Sequence, residues 1–445
     1  KGGYIGTDSP GQSPRNRKRA TSANHKNEPA GENVRTGIRL RPVLASELRG
    51  SPKTKAVESC VQIEPDGRVI LCDPQKPAQP GRAFKCNFAF NSSNSNSFDY
   101  MDQRSIYSGI GAEMVQNGTE GYNCCLCAYG QTGTGKTHTV HGDWHSEEYR
   151  GLLPRMALGL FDRLEELSSQ GCSWRVRISY IEVYNNRLRD LLATANETDA
   201  REEHRGASPS GSPSTEPRRL LRSRPSSPGG KKLEIHTHPV VGVYIDNLQE
   251  LAVQSFADVS RLVAIGEKAK HMFKTEMNDR SSRSHTIFSF KVEVKSSVRG
   301  HSMSSMQVVD LAGRENEQTS EAKGDRFKEL TYINRSLFDL ASVVLALSDG
   351  NREHVPFRNS KLTMLLSESF TTNSRTVLLA TLTPSPSGYE ENLLTCRFLE
   401  STGRISTQPV LNRFDAHAAR DKLQDEIATL RSTLGLEHAK QDPLL

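Results

Sequence analysis

Residues 130–137 read Gly130-Gln131-Thr132-Gly133-Thr134-Gly135-Lys136-Thr137. A glycine, four residues, then Gly-Lys-Thr is the Walker A spacing of a phosphate loop. Ahead of it runs Cys124-Cys125-Leu126-Cys127-Ala128-Tyr129, an apolar stretch that reads as a buried strand. A strand feeding a glycine-rich turn and then a helix is the context that makes the motif credible. The glycines let backbone approach phosphate oxygens closely. Successive N–H groups and the helix N-terminus then cradle the anion. In such a loop Lys136 would reach the terminal phosphates and the Thr137 hydroxyl would ligate magnesium.

Working outward, the chain has 445 residues, 25% of them charged, with a net charge of +6. That length fits two or three average domains or one large α/β core. Aromatics make up only 6%, and glycine, proline and serine cluster in a few places, so part of the length is expected to be disordered. The positive balance suits an acidic partner. The eight cysteines show no framework spacing and no secretory leader is evident, which points to a reducing, cytosolic compartment. Cys124, Cys125 and Cys127 sit on a strand whose neighbours point to opposite faces, which argues against one shared metal. No apolar run approaches the ~20 residues that span a bilayer. The chain opens at Lys1, so a piece of something longer is expected.

Residues 1–30 are polar and basic and read as a disordered extension. Order is expected from Val34-Arg35-Thr36-Gly37-Ile38-Arg39-Leu40-Arg41-Pro42, a strand that stops at proline. A helix is expected over 103–116. Another starts near Pro154 and carries Met156, Leu160, Phe161, Leu164 and Leu167 on one face. Residues 174–184 read as a long strand. Residues 195–231, with Ser-Pro and glycine-rich stretches around Arg218-Arg219-Leu220-Leu221-Arg222, read as a flexible basic loop insertion. A hairpin is expected from 232–236 and 243–245. Ser255 and Asp258 then open a helix in capping-box fashion. Strands are expected at 286–294, 306–309 and 376–382, and helices at 327–347, 360–369 and 391–404. Leu423, Ile427, Leu430 and Leu434 recur at helical spacing, as a short coiled-coil start or a helix packed on the core.

Three further segments bear on chemistry. Asn278-Asp279-Arg280-Ser281-Ser282-Arg283-Ser284-His285 offers hydroxyls for magnesium or for the attacking water, or is a polar loop capped by serines. Asp310-Leu311-Ala312-Gly313-Arg314-Glu315 puts an acid at a strand end, the Walker B position that holds magnesium, or is a plain strand-end turn. Arg39-Leu40-Arg41-Pro42 is a candidate adenine wall or an ordinary strand end.

Taken jointly these segments resemble the kinesin motor domain. Ala128 to Gly133 is similar to the family's Ala-Tyr-Gly-Gln-Thr-Gly pattern, residues 278–285 to its switch I and residues 310–315 to its switch II. Ile333-Asn334-Arg335-Ser336-Leu337 resembles its relay helix, and residues 354–363 its principal tubulin-facing loop and helix. The resemblance covers roughly residues 33–412 and implies an α/β P-loop NTPase fold with a central, mostly parallel twisted sheet flanked by helices on both faces. It divides the chain into a motor domain at 31–405, a neck linker at 406–420 and a neck helix at 421–438.

The resemblance implies ATP and Mg2+ as cofactors. Arg39, Arg41, Pro42 and His138 would surround the adenine; Gly130, Gln131, Thr132, Gly133, Thr134, Gly135, Lys136 and Thr137 would hold the phosphates. Thr137, Ser282 and Asp310 would form the magnesium shell. Ser281, Ser282, Arg283, Gly313 and Glu315 would be catalytic, with Arg283 and Glu315 closing the two switches by a salt bridge. Phosphoryl transfer needs positioned water and neutralised charge, which a closing bridge serves.

Tubulin is the implied partner. Its acidic surface would meet Lys323, Arg326, Lys328, His354, Arg358 and Lys361. Asn412 stands at the family's latch position in Ser406-Thr407-Gln408-Pro409-Val410-Leu411-Asn412, which resembles the neck linker of N-terminal, plus-end-directed motors. Cargo or adaptors through regions outside the chain, a homodimer through the neck helix, and a cytoplasmic, cytoskeletal location follow from the same likeness. Neither nucleic acid nor a membrane span is expected.

Residues 238–244 look like the third kinesin class, but its lysine-rich insertion is replaced by Ser348-Asp349-Gly350-Asn351-Arg352-Glu353. The basic insertion at 195–231 could substitute, or be an inert linker. Arg314 stands where the family usually has serine, and it could slow phosphate release, alter the bridge or point outward. The main reading is a microtubule-stimulated ATPase that moves cargo. The alternatives are a kinesin that regulates or depolymerises filament ends, and an inactive tether. No Asn-Lys-x-Asp segment for guanine is present.

Overall fold

All six residues of Cys124–Tyr129 are buried, and the fold is built around them. The computed structural model describes residues 31–48, 59–193, 195, 232–238, 242–275, 284–296, 298, 300–314, 325–350 and 354–414, with isolated positions at 424, 427 and 429. The N-terminal extension 1–30, nearly all of the 195–231 insertion and nearly all of the 421–438 helix lie outside the described residues.

In chain order the strands are β1 (Glu32–Asn33), β2 (Arg35–Leu40), β3 (Val61–Ile63), β4 (Arg68–Leu71), β5 (Arg82–Lys85), β6 (Phe88–Asn91), β7 (Cys124–Tyr129), β8 (Ser173–Tyr184), β9 (Arg187–Asp190), β10 (Glu234–His238), β11 (Gly242–Asp246), β12 (Leu251–Val253), β13 (His285–Ser296), β14 (Gly300–Asp310), β15 (Arg375–Leu382), β16 (Ser406–Thr407) and β17 (Arg413–Phe414). The main sheet runs β12-β8-β13-β14-β7-β15-β2-β6, with β9 beside β8 and β17 beside β14. The contacts from β14 through β7, β15 and β2 to β6 are parallel; β12, β8, β13 and β14 pair antiparallel. The sheet is therefore mixed and mostly parallel, as parallel strands buried on both faces require.

Alternation along β7 feeds two layers. Cys124, Leu126 and Ala128 join a core with Ile110, Met156, Leu160 and Phe288. Cys125, Cys127 and Tyr129 join another with Leu340, Leu362, Phe370 and Leu399. The first layer uses the helix Leu152–Ser169; the second uses the helices Asp325–Ser348 and Tyr389–Thr402. Burying each such aliphatic side chain stabilises by about 1.5–3 kcal/mol, so these layers fix where the strands end.

Some elements differ from the sequence reading. The strand expected at 306–309 is eleven residues long, Gly300–Asp310, because its first half alternates between buried and exposed and carries no apolar run. The helix expected at 103–116 is Gln103–Ile106, a π-helical turn Tyr107–Gly111, and Ala112–Glu120. The helix expected at 360–369 is split at Leu366 into Lys361–Leu365 and Ser367–Thr371. Pro154 is the third residue of its helix, where a missing N–H still falls among the unpaired donors of the first turn. The hairpin is Glu234–His238 with Gly242–Asp246. Ser255 caps its helix as read, accepting from the Asp258 N–H at 3.2 Å. Among the described residues no helix is long and apolar enough to cross a membrane, and no three potential ligands cluster for a metal.

Candidate functional site

The C-terminal ends of the parallel strands open onto the phosphate loop. Gly130 leaves β7 at φ 145. A Cβ there would meet the Thr381 carbonyl oxygen of β15 at 2.6 Å, so only glycine fits. Thr134 Oγ1 donates to the Gln131 carbonyl at 2.7 Å and lies 2.6 Å from Thr381 Oγ1. Strand β15 thus holds the loop from the side. Gly135 is the N-cap of the short helix Lys136–Val140.

Lys136 is 7% exposed. Its Nζ donates to the carbonyls of Gly130 at 2.9 Å and Gln131 at 3.0 Å. The Thr137 hydroxyl donates to Asp310 Oδ2 at 2.6 Å across 173 residues of chain. Asp310 ends β14 beside β7, and its other oxygen, Oδ1, is buried with no hydrogen-bond partner among the described residues. A buried carboxylate oxygen with nothing to accept from carries a desolvation cost that a cation would remove. A hydroxyl and a carboxylate are the oxygen donors that magnesium takes. The pair fits such an ion.

The four expected adenine residues separate into two sets. Pro42 and His138 are exposed and Arg41 is half-buried. Arg39 departs from the expectation: it is 5% exposed and forms no open wall. Its Nε donates to Ser92 Oγ at 3.1 Å, and its Nη1 donates to Gln103 Oε1 and Thr139 Oγ1, both at 2.8 Å. Burial pushes its pKa down to about 10, against the opposing pull of Tyr100 and Asp102. Arg39 therefore braces the phosphate-loop helix from beneath. Arg39 lies within β2, whereas Arg41 falls just past its end at Leu40 and is free to turn toward the loop.

Arg41 holds the loop itself. Its Nε donates to the Gly133 carbonyl at 2.8 Å. Its two terminal nitrogens grip Glu47 at 2.8 and 2.6 Å. Glu47 also accepts from Leu44 N at 2.8 Å and Thr383 Oγ1 at 3.1 Å. The Arg41 hydrogen bonds, helped by Leu44 and Thr383 and opposed by burial, bring the Glu47 pKa down to about 2. Glu47, Gln103, Thr381 and Thr383 are not among the site residues read from the sequence.

Ser281, Ser282, Arg283, Glu315 and Lys323 lie outside the described residues. Gly313 follows Asp310 at the end of β14, and a Cβ on it would meet Thr132 Oγ1 at 1.8 Å. That close approach requires glycine. Gln131 and Arg314 form a parallel bridge across the same gap. The Arg314 side chain turns to the helix Tyr389–Thr402, with Nε 3.8 Å from Glu391 Oε2. His285, at the start of β13, is 2% exposed. Its Nδ1 accepts from Ala312 N at 3.0 Å, and its Nε2 lies 2.8 Å from Ser336 Oγ on the helix Asp325–Ser348. Burial, with the Lys136 charge adding, takes its pKa down to about 3.

Arg326 and Lys328 fall in the first turn of the helix Asp325–Ser348. His354 and Arg358 are exposed and Lys361 is half-buried. At the opposite end of the sheet, Asn412 is anchored on every side. Its N–H and its Nδ2 both donate to the Gly121 carbonyl at 3.1 Å. Its Oδ1 accepts from Asn373 Nδ2 at 2.7 Å, and its carbonyl from Met303 N at 3.0 Å. Around it β16 pairs with β1 and β17 pairs with β14.

The loop on β7, the paired hydroxyl and carboxylate, and the doubly covered sheet define the P-loop NTPase fold. The kinesin motor domain profile matches residues 39–405, and the chain belongs to the kinesin family. It is 30% identical to kinesin-like protein KIF1A of Rattus norvegicus over 91% of this chain and 22% of that protein. To KIF1C of Homo sapiens it is 33% identical over 91% of this chain and 34% of that protein. The chain thus spans between about a fifth and a third of those relatives. Among solved structures it resembles a fast kinesin (TM-score 0.70, 28% identity, 86% of this chain and 95% of that one). It also resembles a KIF14 dimer bound with AMP-PNP to a microtubule (TM-score 0.69, 30% identity, 86% and 97%).

Proposed function

We propose that this chain is the motor of an ATP-hydrolysing, plus-end-directed microtubule transporter. The observation that carries the reading is the Thr137–Asp310 hydrogen bond beneath the phosphate loop, with Asp310 Oδ1 left open. Magnesium, when bound, would neutralise phosphate charge and orient the triphosphate. Thr137, Asp310 and Ser282 would hold it. Lys136 would leave the Gly130 and Gln131 carbonyls for the terminal phosphates, and Gly313 would turn its N–H toward the last of them. Pro42 and His138 would cover the adenine. Arg283 and Glu315 would close over the nucleotide, exclude bulk water and fix the attacking water.

Arg326, Lys328, His354, Arg358 and Lys361, with Lys323, supply the cationic footprint for acidic tubulin. The strap through Asn412 is the two-state element whose docking converts closure into displacement. Cargo would be carried by regions outside this chain, in the cytoplasm and on the cytoskeleton, with dimerisation through the neck helix.

Microtubule-stimulated ATPase tests the reading. Turnover should rise at least tenfold on adding microtubules, and Glu315→Ala should keep nucleotide binding while losing that rise. Equal turnover with and without microtubules in the unmodified chain overturns it. Gliding of polarity-marked filaments decides the direction.

A further inference from the structure

His285 sits just past the last rung of the β13–β14 ladder, Thr286 with Asp310, and ties three elements together there. It starts β13, it accepts from Ala312 N in the turn that leads to Gly313, and it faces Ser336 in the middle of the helix Asp325–Ser348. The geometry fixes its tautomer. A nitrogen that accepts carries no proton, so Nδ1 is bare and Nε2–H donates to Ser336 Oγ. Both Ala312 and His285 are 2% exposed, so water does not reach the bond between them, and the bond to Ser336 is half-buried.

The placement of the two bonds matters. The Ala312 N–H belongs to the peptide just before the one that carries the Gly313 N–H. Pinning that peptide leaves Gly313 as the pivot. A shift of the Gly313 turn must then pull on the imidazole, and the imidazole pulls on Ser336. An imidazole is rigid, so its two nitrogens cannot move apart as a flexible side chain's polar atoms can. Asp310 at the start of the same turn is tied to Thr137, so the turn is held at one side by the phosphate loop and at the other by His285.

We infer that His285 is a positioning residue that transmits the state of the Gly313 turn to the helix Asp325–Ser348 through Ser336. The inference rests on the function proposed above, in which that turn senses the last phosphate and that helix faces the filament. His285 itself touches neither nucleotide nor filament. It sets the register between the parts that do.

The test is the ratio of microtubule affinities with a non-hydrolysable ATP analogue and with ADP, measured by co-sedimentation. Ser336→Ala should reduce that ratio by about fivefold, the effect of one hydrogen bond, with nucleotide affinity unchanged. Ser336→Thr, which keeps a hydroxyl, should restore it. His285→Asn keeps an acceptor near Ala312 but is too short to reach Ser336. It should match Ser336→Ala, and the double variant should lose nothing more. A folded Ser336→Ala protein with the unmodified ratio overturns the inference, as does an additive double variant. Should Ser336→Ala fail to fold, the ratio in His285→Asn decides by the same criterion. An unmodified chain whose filament affinity ignores nucleotide overturns the function instead, which keeps the two failures apart.

Discussion

The two ends of the parallel strands are built on opposite principles. At their C-terminal ends, around Gly130 and Asp310, the bonds are between side chains and loops, and one buried oxygen is left open. At their N-terminal ends, around Gly121 and Asn373, the chain's last described segment is laid down by paired backbone and by Asn412. About 20 Å of sheet separates them, at about 3.3 Å for each residue of β7. On the function proposed above, the first end would change partners, and the second would be docked or free, since a short strap held by a few bonds can detach as a unit. A motor would use both kinds of end on one sheet.

The sharpest way to break this comparison is to empty the first end. Lys136→Ala and Asp310→Asn should each lower ATP turnover by at least about a hundredfold, the scale for lost charge stabilisation at a reacting phosphate. The strap should stay docked. A fluorescent ATP analogue and single-turnover hydrolysis check the first point, and a paramagnetic or fluorescent label beyond residue 412 checks the second. If these variants released the strap as completely as deleting it does, the two ends would be one site.

Next comes the converse. Deleting residues 406–412 should stop filament gliding while leaving ATPase within about threefold. Asn412→Ala should slow gliding by several-fold, since it removes the side-chain bonds to Gly121 and Asn373 and keeps the backbone ones. Loss of ATPase equal to loss of gliding would break the division of labour.

A smaller effect is expected behind the phosphate loop. Arg41→Met frees the Gly133 carbonyl and the Glu47 carboxylate, and nucleotide affinity should fall about fivefold, as for a charge-assisted hydrogen bond. The same pair predicts a pH effect. Glu47 has a folded pKa of about 2 against an ordinary 4.5. The folded state therefore binds fewer protons in that window, and the Arg41 contact stabilises fully above pH 4.5 and is lost as pH falls toward 2. Thermal melting across this range should show a shallower acid slope in Glu47→Gln than in the unmodified chain.

How much of this was legible in the chain follows from the range of the signals. The phosphate loop and the strand before it are local, and Cys124–Tyr129 and Arg375–Leu382 emerged close to where their apolar runs placed them. Strand β14 was read too short because its outer half is polar on one face. Arg39 was read as an adenine wall because a motif does not say which way a strand faces. That Arg39 points to Thr139 depends on Gln103 and Ser92, which are 64 and 53 residues away. The Thr381 contact comes from a strand 247 residues downstream of Thr134, and Thr383, just past that strand, reaches Glu47 across 336 residues. Such pairs are set by topology and leave no local pattern.

The last and smallest effect concerns Arg314, the residue that departs from the usual serine. Its backbone bridges Gln131 at the site, but its side chain leaves toward Glu391 at 3.8 Å and lies beside Tyr129, whose hydroxyl burial holds above its ordinary pKa. The side chain is 38% exposed, so water screens its long contact to Glu391, worth at most about 1 kcal/mol. Of the three roles open to it, pointing away from the nucleotide fits this geometry. Arg314→Ser should then change microtubule-stimulated turnover by less than about threefold. Glu391→Gln should do the same, and the double variant should equal either single one. A tenfold change in phosphate release for Arg314→Ser alone would mean that the side chain works inside the first end after all, and the boundary drawn between site and helix would have to move.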